Sequence, residues 1–234
     1  MTIIATSDLH GTLPEIKTEF DLLLICGDIC PVWNHDRHYQ EEWLNTDFAD
    51  WIKSLPYKNA LSRVVCIAGN HDYFLEGINK AKTITFKYNC GNQFVYLRNE
   101  EYDFEYITDR GLDTIRIFGT PYCKPFGSWA FMRENLSKYY DKIPEGIDIL
   151  ISHDAADIND LGNIREGRWS GTNAGNKALA ECVKRVKPKY YFCGHIHSGN
   201  HNFEDVNGVK CANVSLMNEK YSPENRILMF EYEE

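Results

Sequence analysis

An α/β fold is predicted for this 234-residue chain on three observations. Short runs of aliphatic, β-branched and aromatic residues recur, each ends abruptly in a polar cluster, and amphipathic helical patterns lie between them. Runs of this kind belong to strands buried on both faces, and their alternation with helices is that of βα units in a largely parallel sheet.

The first run, Ile3-Ile4-Ala5-Thr6, leads into Ser7-Asp8-Leu9-His10-Gly11, and the second, Leu22 to Cys26, into Gly27-Asp28. From Asp36 to Leu55 the apolar residues Tyr39, Trp43, Phe48, Trp51, Ile52 and Leu55 recur near a 3.6-residue period, with Pro56 closing the segment, which predicts one helix. Val64 to Ala68 runs into Gly69-Asn70-His71-Asp72, and a helix is expected to begin near Tyr73. Val95 to Leu97, Tyr102 to Ile107 and Ile115 to Phe118 read as further strands, some antiparallel. Ile147 to Ile151 precedes Ser152-His153-Asp154, and 155–176, rich in Asp, Asn, Gly and Arg, reads as a long loop over the site. Leu179, Cys182, Val183 and Val186 place a helix over Asn176 to Val186, ahead of Pro188. Tyr190 to Cys193 enters Gly194-His195-Ile196-His197, and Val209 to Val214 and Ile227 to Tyr232 are the last strands.

Composition narrows the function classes. With 43% hydrophobic and 25% charged residues, the chain reads as one globular domain over 1–234. No segment approaches the roughly 18 apolar residues of a membrane span, and the N-terminus reaches Ser7-Asp8 before a signal sequence is complete, so a cytoplasmic protein is expected. The eight cysteines are then reduced thiols rather than a disulfide framework; Cys26, Cys66 and Cys193 lie inside apolar runs, as packing residues do. A net charge of −9 argues against general nucleic-acid binding, which depends on clustered Lys and Arg, but not against a small anionic substrate.

The polar clusters all stand at strand ends, where ligands bind in open α/β sheets. Carboxylate, imidazole and amide oxygen are the donors that hard and borderline divalent ions take, and two ions about 3.5–4 Å apart need one bridging ligand. Asp28, alone after Gly27, is the natural bridge. Asp8 and His10 are expected to project from the same side of an extended segment and grip one ion, while His195 and His197 can serve one ion each. Asn70 offers an amide oxygen and His153 a further imidazole. Two dications less two aspartates and a bridging hydroxide leave roughly one positive charge, suited to a phosphate. His71, beside Asn70, is placed to protonate a departing alkoxide. Asp72 either orients His71 or caps the following helix. A single histidine in a core is more often a hydrogen-bonded structural residue; it is the set that points to metals. His35, His38 and His201 fall outside the clusters and are expected to be solvated. Arg165, Arg168 and Trp169 are candidates for substrate phosphate or base, with a merely exposed loop as the alternative; Tyr122 and Trp129 are candidates for stacking, with packing beneath a loop as theirs.

As a series, Asp8-x-His10, Gly27-Asp28, Gly69-Asn70-His71-Asp72, Ser152-His153 and Gly194-His195-Ile196-His197 resembles the calcineurin-like metallophosphoesterase superfamily. The likeness spans residues 8 to 197. It implies a four-layer αββα sandwich, two mixed β-sheets flanked by helices. It also implies Asp8, His10, Asp28 and His197 on one metal, Asp28, Asn70, His153 and His195 on the other, and His71 as the nearby acid. Two divalent ions are the cofactors expected, Mn²⁺ first, with Fe or Zn as alternatives. A finer likeness to the metallophosphoesterase-domain-containing branch known from animals rests on Ile117 to Tyr122, Trp129-Ala130-Phe131, Ile143 to Asp148 and Asn213-Val214-Ser215. That branch implies a nucleotide phosphodiesterase. Two departures stand out. Asp154-Ala155-Ala156 follows His153 where the superfamily often carries two prolines. Ile29 to Asn34 supplies no arginine of the kind that holds a monoester dianion in protein phosphatases. The expected function is therefore hydrolysis of a phosphodiester, a nucleotide or cyclic nucleotide, by a metal-bridging hydroxide. The alternatives are a phosphomonoesterase and a slow-turnover nucleotide sensor.

Overall fold

The computed structural model describes residues 1–232. In the first sheet, β1 (Thr2–Thr6), β2 (Leu22–Cys26), β3 (Arg63–Ile67) and β4 (Phe94–Tyr96) run parallel in that order. The chain then crosses to a second sheet, entering it through the antiparallel hairpin of β5 (Glu100–Thr108) and β6 (Gly111–Thr120). Strand β6 continues parallel to β7 (Ile149–Ser152), and β7 to β8 (Tyr190–Cys193). On the far edge, β9 (Glu204–Val206) is antiparallel to β10 (Val209–Asn213), itself parallel to β8. The last strand, β11 (Leu228–Glu231), returns to the first sheet against β1.

Because side chains alternate across a strand, each central strand feeds two cores. Ile3 and Ala5 of β1, Leu22 and Leu24 of β2, and Val65 and Ile67 of β3 meet Ile117, Ile149, Ile151, Tyr190 and Phe192 of the second sheet between the two. The residues in between, Ile4, Leu23, Ile25, Val64 and Cys66, face outward into a core shared with Trp43, Leu44, Phe48, Ile52 and Phe86. Leu150 and Tyr191 of the second sheet do the same with Tyr140, Leu179, Val183 and Val186. Full burial of an aliphatic side chain stabilises by about 1.5–3 kcal/mol, so strands that bury both faces hold the register of both sheets.

The helices are α1 (Arg37–Trp43), α2 (Ala49–Ser54), α3 (Tyr73–Gly77), α4 (Lys80–Cys90), α5 (Ser137–Tyr140) and α6 (Lys177–Val186). Asp36 caps α1, accepting from the backbone N–H groups of His38 and Tyr39 at 3.0 Å; Asn176 caps α6 through Leu179 N–H. The single helix predicted from Asp36 to Leu55 is interrupted by a wide π turn over Leu44–Phe48. There Asn45 Nδ2 and Thr46 Oγ1 donate to the carbonyls of Glu41 and Glu42, competing with the helix's own ladder. Helix α4 has no counterpart among the sequence expectations. It buries Phe86 and Cys90 but exposes Ile84 and Tyr88, so no clean apolar stripe marks it.

Candidate metal centre

The ends of β1, β2, β3, β7 and β8 meet at one place, and there the backbone turns sharply. Asp8 (φ 54°), His10 (φ 45°), Asp28 (φ 51°) and His195 (φ 67°) all occupy the left-handed region, which costs a non-glycine residue about 1–2 kcal/mol. Asp8 and His10 are therefore not neighbours on an extended strand, as their spacing suggested. They lie on a coiled segment whose N–H groups still pair with the chain leaving β2: Asp8 N with Gly27 O (2.9 Å), His10 N with Asp28 O (2.9 Å) and Gly11 N with Ile29 O (3.0 Å). These bonds hold the left-handed turns in place. The chain itself passes closely here. A Cβ on Gly194 would collide with Ser7 Oγ and Asp8 Oδ2, and one on Gly27 (φ 97°) would lie 2.7 Å from both Ala68 O and His153 Nδ1.

Around this floor, donor atoms gather in two groups, Asp8–His10–His197 and Asp28–His153–His195, with ligand atoms in each within 4.8 Å of one another. A third set, His10–Asp28–His71, links them. The rings are fixed from behind. His153 Nδ1 lies 2.9 Å from Cys26 O and His197 Nδ1 2.9 Å from Asn218 O. A carbonyl only accepts, so both Nδ1 atoms carry the hydrogen and both Nε2 atoms face inward. There they find other acceptors: His153 Nε2 stands 2.9 Å from Asn70 Oδ1 and 3.3 Å from Asp28 Oδ2. His197 Nε2 stands 3.2 Å from His10 Nε2 and 3.5 Å from Asp8 Oδ1. Among the described residues, buried His10 Nδ1 has no hydrogen-bond partner, and its ring is held by packing against His71, His197 and Tyr221.

Lone pairs converging in a buried space call for a shared cation. With protons alone the cluster divides unevenly. Burial opposes charge on His153, yet Asp28 and Asp8 lift it to about 10. Burial drives His10 and His195 down to about 3 despite the same carboxylates. For Asp8 and Asp28, burial is outweighed by the facing imidazoles, His197 for Asp8 and His153 for Asp28, and both carboxyls fall below their ordinary range. Anionic carboxylates, neutral imidazoles backed by carbonyls and an amide oxygen are the donor set of a Zn, Mn or Fe site. The residues fit a binuclear metal centre.

Asp72 takes neither role anticipated for it. Its carboxylate accepts from the N–H groups of Gly69 (2.7 Å), Cys30 (2.8 Å) and Ile29 (3.0 Å), and it makes no cap to α3. It ties the loop after β2 to the loop after β3. Burial and the nearby Asp28 raise it to about 6, while the amides pull the other way. The partner of His71 is instead His35, with His35 Nε2 3.1 Å from His71 Nδ1. His35 and His201 are thus not simply solvated. His201 is half-buried, with Nε2 3.0 Å from His197 O and Nδ1 3.2 Å from Asn213 O, one of which it can donate to as a neutral ring, whereas His38 is exposed as expected.

A cleft of about 90 Å³ opens on the cluster between Asp28, Asn70, His71, His195, His197, Phe126, Glu219 and Tyr221. Beside it, sharing Phe126, His195 and Glu219, lies a cavity of about 520 Å³ completed by Lys124, Ile164, Trp169, Thr172, Ala174 and Ile196. Trp169 of the 155–176 loop therefore borders the site. Arg165 pairs with Asp160 (3.1 Å), Arg168 stacks on Trp169, and neither lines these spaces. Tyr122 is a core residue, its ring stacked at 3.7 Å on Tyr139 and away from the cleft lining. Trp129 packs against His71. Phe126, Glu219 and Tyr221 escaped the sequence reading because they stand on loops without spacing or periodicity. Even so, the Tyr221 ring lies 4.8 Å from His10 and 5.0 Å from His197.

Two mixed sheets with flanking helices, whose strand ends converge on a buried Asp/His metal-binding cluster, define a metallophosphoesterase. The calcineurin-like phosphoesterase model matches residues 1–199, and the chain belongs to that family. It is 27% identical over 252 residues to metallophosphoesterase domain-containing protein 1 of Homo sapiens, covering 95% of this chain and 68% of that protein. Among solved structures, the fold is similar to phosphopantetheinyl hydrolase (PptH) from Mycobacterium tuberculosis, with TM-score 0.53, 13% identity and coverage of 94% of this chain and 90% of that one. It is also similar to TT1561 of Thermus thermophilus, with TM-score 0.54, 12% identity and coverage of 91% and 88%. Among the described residues, no helix is long and apolar enough to cross a membrane.

Proposed function

We propose that the chain is a metal-dependent phosphodiesterase acting on a nucleotide or similar small diester, with water as the nucleophile. In this reading Asp8, His10, Asp28 and His197 hold one ion, and Asp28, Asn70, His153 and His195 the other, with Mn²⁺ the first choice and Fe or Zn the alternatives. Two bound dications supply the acidity that makes water nucleophilic at neutral pH and the charge that neutralises the phosphate oxygens. The protein's share is to orient. Asp28 Oδ1 accepts from His71 N–H at 2.7 Å, which keeps its other oxygen on the cluster and seats His71 above it. His71 Nε2, 4.0 Å from Asp28 Oδ2, lines the cleft from which a leaving oxygen departs, and there it acts as the acid.

The preference for a diester rests on one observation: among the described residues, no arginine lines the cleft or the adjoining cavity. Lys124, which does, spends its ammonium on Gly175 O. A monoester dianion needs more positive charge than this, whereas a diester monoanion does not. The aromatic walls at Phe126 and Trp169 suit the planar organic group of a nucleotide. The eight cysteines, all free and buried, accord with a reducing cytoplasm.

The test is hydrolysis of bis(4-nitrophenyl) phosphate and 4-nitrophenyl phosphate by chelator-stripped protein, before and after adding Mn²⁺. Stripped protein should be inert, and restored protein should prefer the diester. Full turnover in chelator would refute the metal reading, and a monoester preference would replace the diester one.

A further inference from the structure

His71 acts through a ring with two nitrogens, and the structure accounts for both. Nε2 faces the cleft; Nδ1 faces His35 Nε2 at 3.1 Å. Asp72, the carboxylate next in sequence, has its oxygens on three backbone amides of the neighbouring loops. The second imidazole is therefore what meets His71 from behind. It is placed with care. Asn34 Oδ1 accepts from Asp36 N–H and Asp36 caps α1, so the segment carrying His35 is pinned on its C-terminal side. The His35 ring lies 5.3 Å from Tyr73 and 5.4 Å from Trp129, and Trp129 also covers His71 at 4.5 Å. On the other side, Gln40 Nε2 donates to His71 O (2.8 Å).

We infer that His35 is a positioning residue for His71, accepting its Nδ1–H through His35 Nε2 and leaving Nε2 as the nitrogen that exchanges a proton with substrate. The inference rests on the acid role given to His71 above. An acid imidazole carries hydrogen on both nitrogens before transfer. As the phosphorus–oxygen bond breaks, the electron pair goes to the leaving oxygen, which takes the Nε2 proton, and a neutral Nδ1–H ring remains. The Nδ1–H···Nε2 bond to His35 suits both states, so it persists across the step and neither ring must turn. His35 fills the place of the third group that orients an active-site imidazole, here a neutral ring instead of a carboxylate.

The experiment compares His35→Phe, which keeps an aromatic ring but cannot accept, with His35→Gln, whose Oε1 can. Each is assayed on methyl aryl phosphodiesters whose leaving groups run from 4-nitrophenol to unsubstituted phenol. Phenol depends on a proton far more than 4-nitrophenol does. His35→Phe should therefore lose about tenfold more kcat on the phenyl ester than on the nitrophenyl ester, with KM and metal content held, while His35→Gln keeps a slope close to wild type. An equal loss across the series, or a glutamine variant as damaged as the phenylalanine one, overturns the inference. Nitrogen-15 NMR of histidine-labelled protein in a diamagnetic Zn²⁺ or Mg²⁺ form reads the tautomer without turnover. Neutral His71 should be Nδ1–H in wild type and a mixture in His35→Phe; Nε2–H in wild type overturns the inference. If wild type hydrolyses none of the esters, the phosphodiesterase reading fails, and the NMR result still decides the role of His35.

Discussion

The floor and the rim of the site are built differently. On the floor, the side chains are anchored to backbone: both oxygens of Asp8 accept from His195 N–H at 3.0–3.1 Å, His153 and His197 rest on carbonyls, and Asp28 is held by His71 N–H. Asp8, Asp28, Asn70 and His153 are almost wholly buried. On the rim, Phe126 is 60% exposed, Trp169 61% and Tyr221 43%. Their loops close on themselves through the Cys123–Met132 bridge, the Asn163–Asn173 bridge and the Asn218–Ser222 turn. A floor built from main-chain geometry changes only if strands move, whereas a rim of exposed side chains on loops changes by single substitution. Chemistry common to a family belongs on the first, and selectivity among substrates on the second.

The largest break in this contrast is expected at Asp28. Asp28→Asn should reduce metal-dependent hydrolysis by on the order of 10³-fold or more and lower bound metal below two ions per chain, measured by kinetics and elemental analysis; outer partners of metal ligands alone cost about 10–100-fold. Activity within tenfold of wild type would remove Asp28 from the proposed metal ligands. Next comes the floor's backbone. Gly194→Ala forces a methyl group into Ser7 and Asp8, and urea unfolding should register a loss of about 1–3 kcal/mol together with weaker metal binding. Unchanged stability would mean that the crossing of the two sheets is looser than drawn.

The rim should respond more mildly and more selectively. Trp169→Ala is expected to raise KM for aromatic diesters about tenfold, with metal content unchanged and little effect on a purely alkyl diester. A matching loss on both would make Trp169 a structural residue. The smallest effect is an expected silence. Burial pushes the thiols of Cys26, Cys66 and Cys193, on the strands that carry the floor, well above their ordinary range. A raised value means the reactive thiolate is scarce at pH 8, so Ellman's reagent should leave native protein unlabelled and react with all eight cysteines after unfolding. Prompt labelling of the native state would show that the strand ends open readily.

Strand positions and strand-end clusters were legible because full burial writes an unbroken apolar run, and because each cluster follows its run without a gap. Tyr190 to Cys193 is a strand to the residue, and Asn176 is the cap of α6. Helix α4 was not legible, since a helix packing two side chains into the core leaves no periodic trace. The rim was legible only in part: Trp169 stood among the candidates on a loop expected over the site, whereas Phe126, Glu219 and Tyr221 come near His195 and His197 only through folding, and that leaves no mark in local composition.

By itself, the sequence determined which donor groups stand at strand ends and that parallel strands would bring them to one edge, because alternation and burial are local properties of the chain. Only the tertiary structure decided how each donor is turned. Asp8, His10, Asp28 and His195 reach the cluster through left-handed backbone, which non-glycine residues adopt when long-range hydrogen bonds repay the strain. It also decided partnership. Asp72, adjacent to His71 in sequence, is drawn to the amides of Ile29 and Cys30, and His35, thirty-six positions away, stands behind the imidazole instead. A hydrogen bond follows direction and distance in space, and residue order specifies neither.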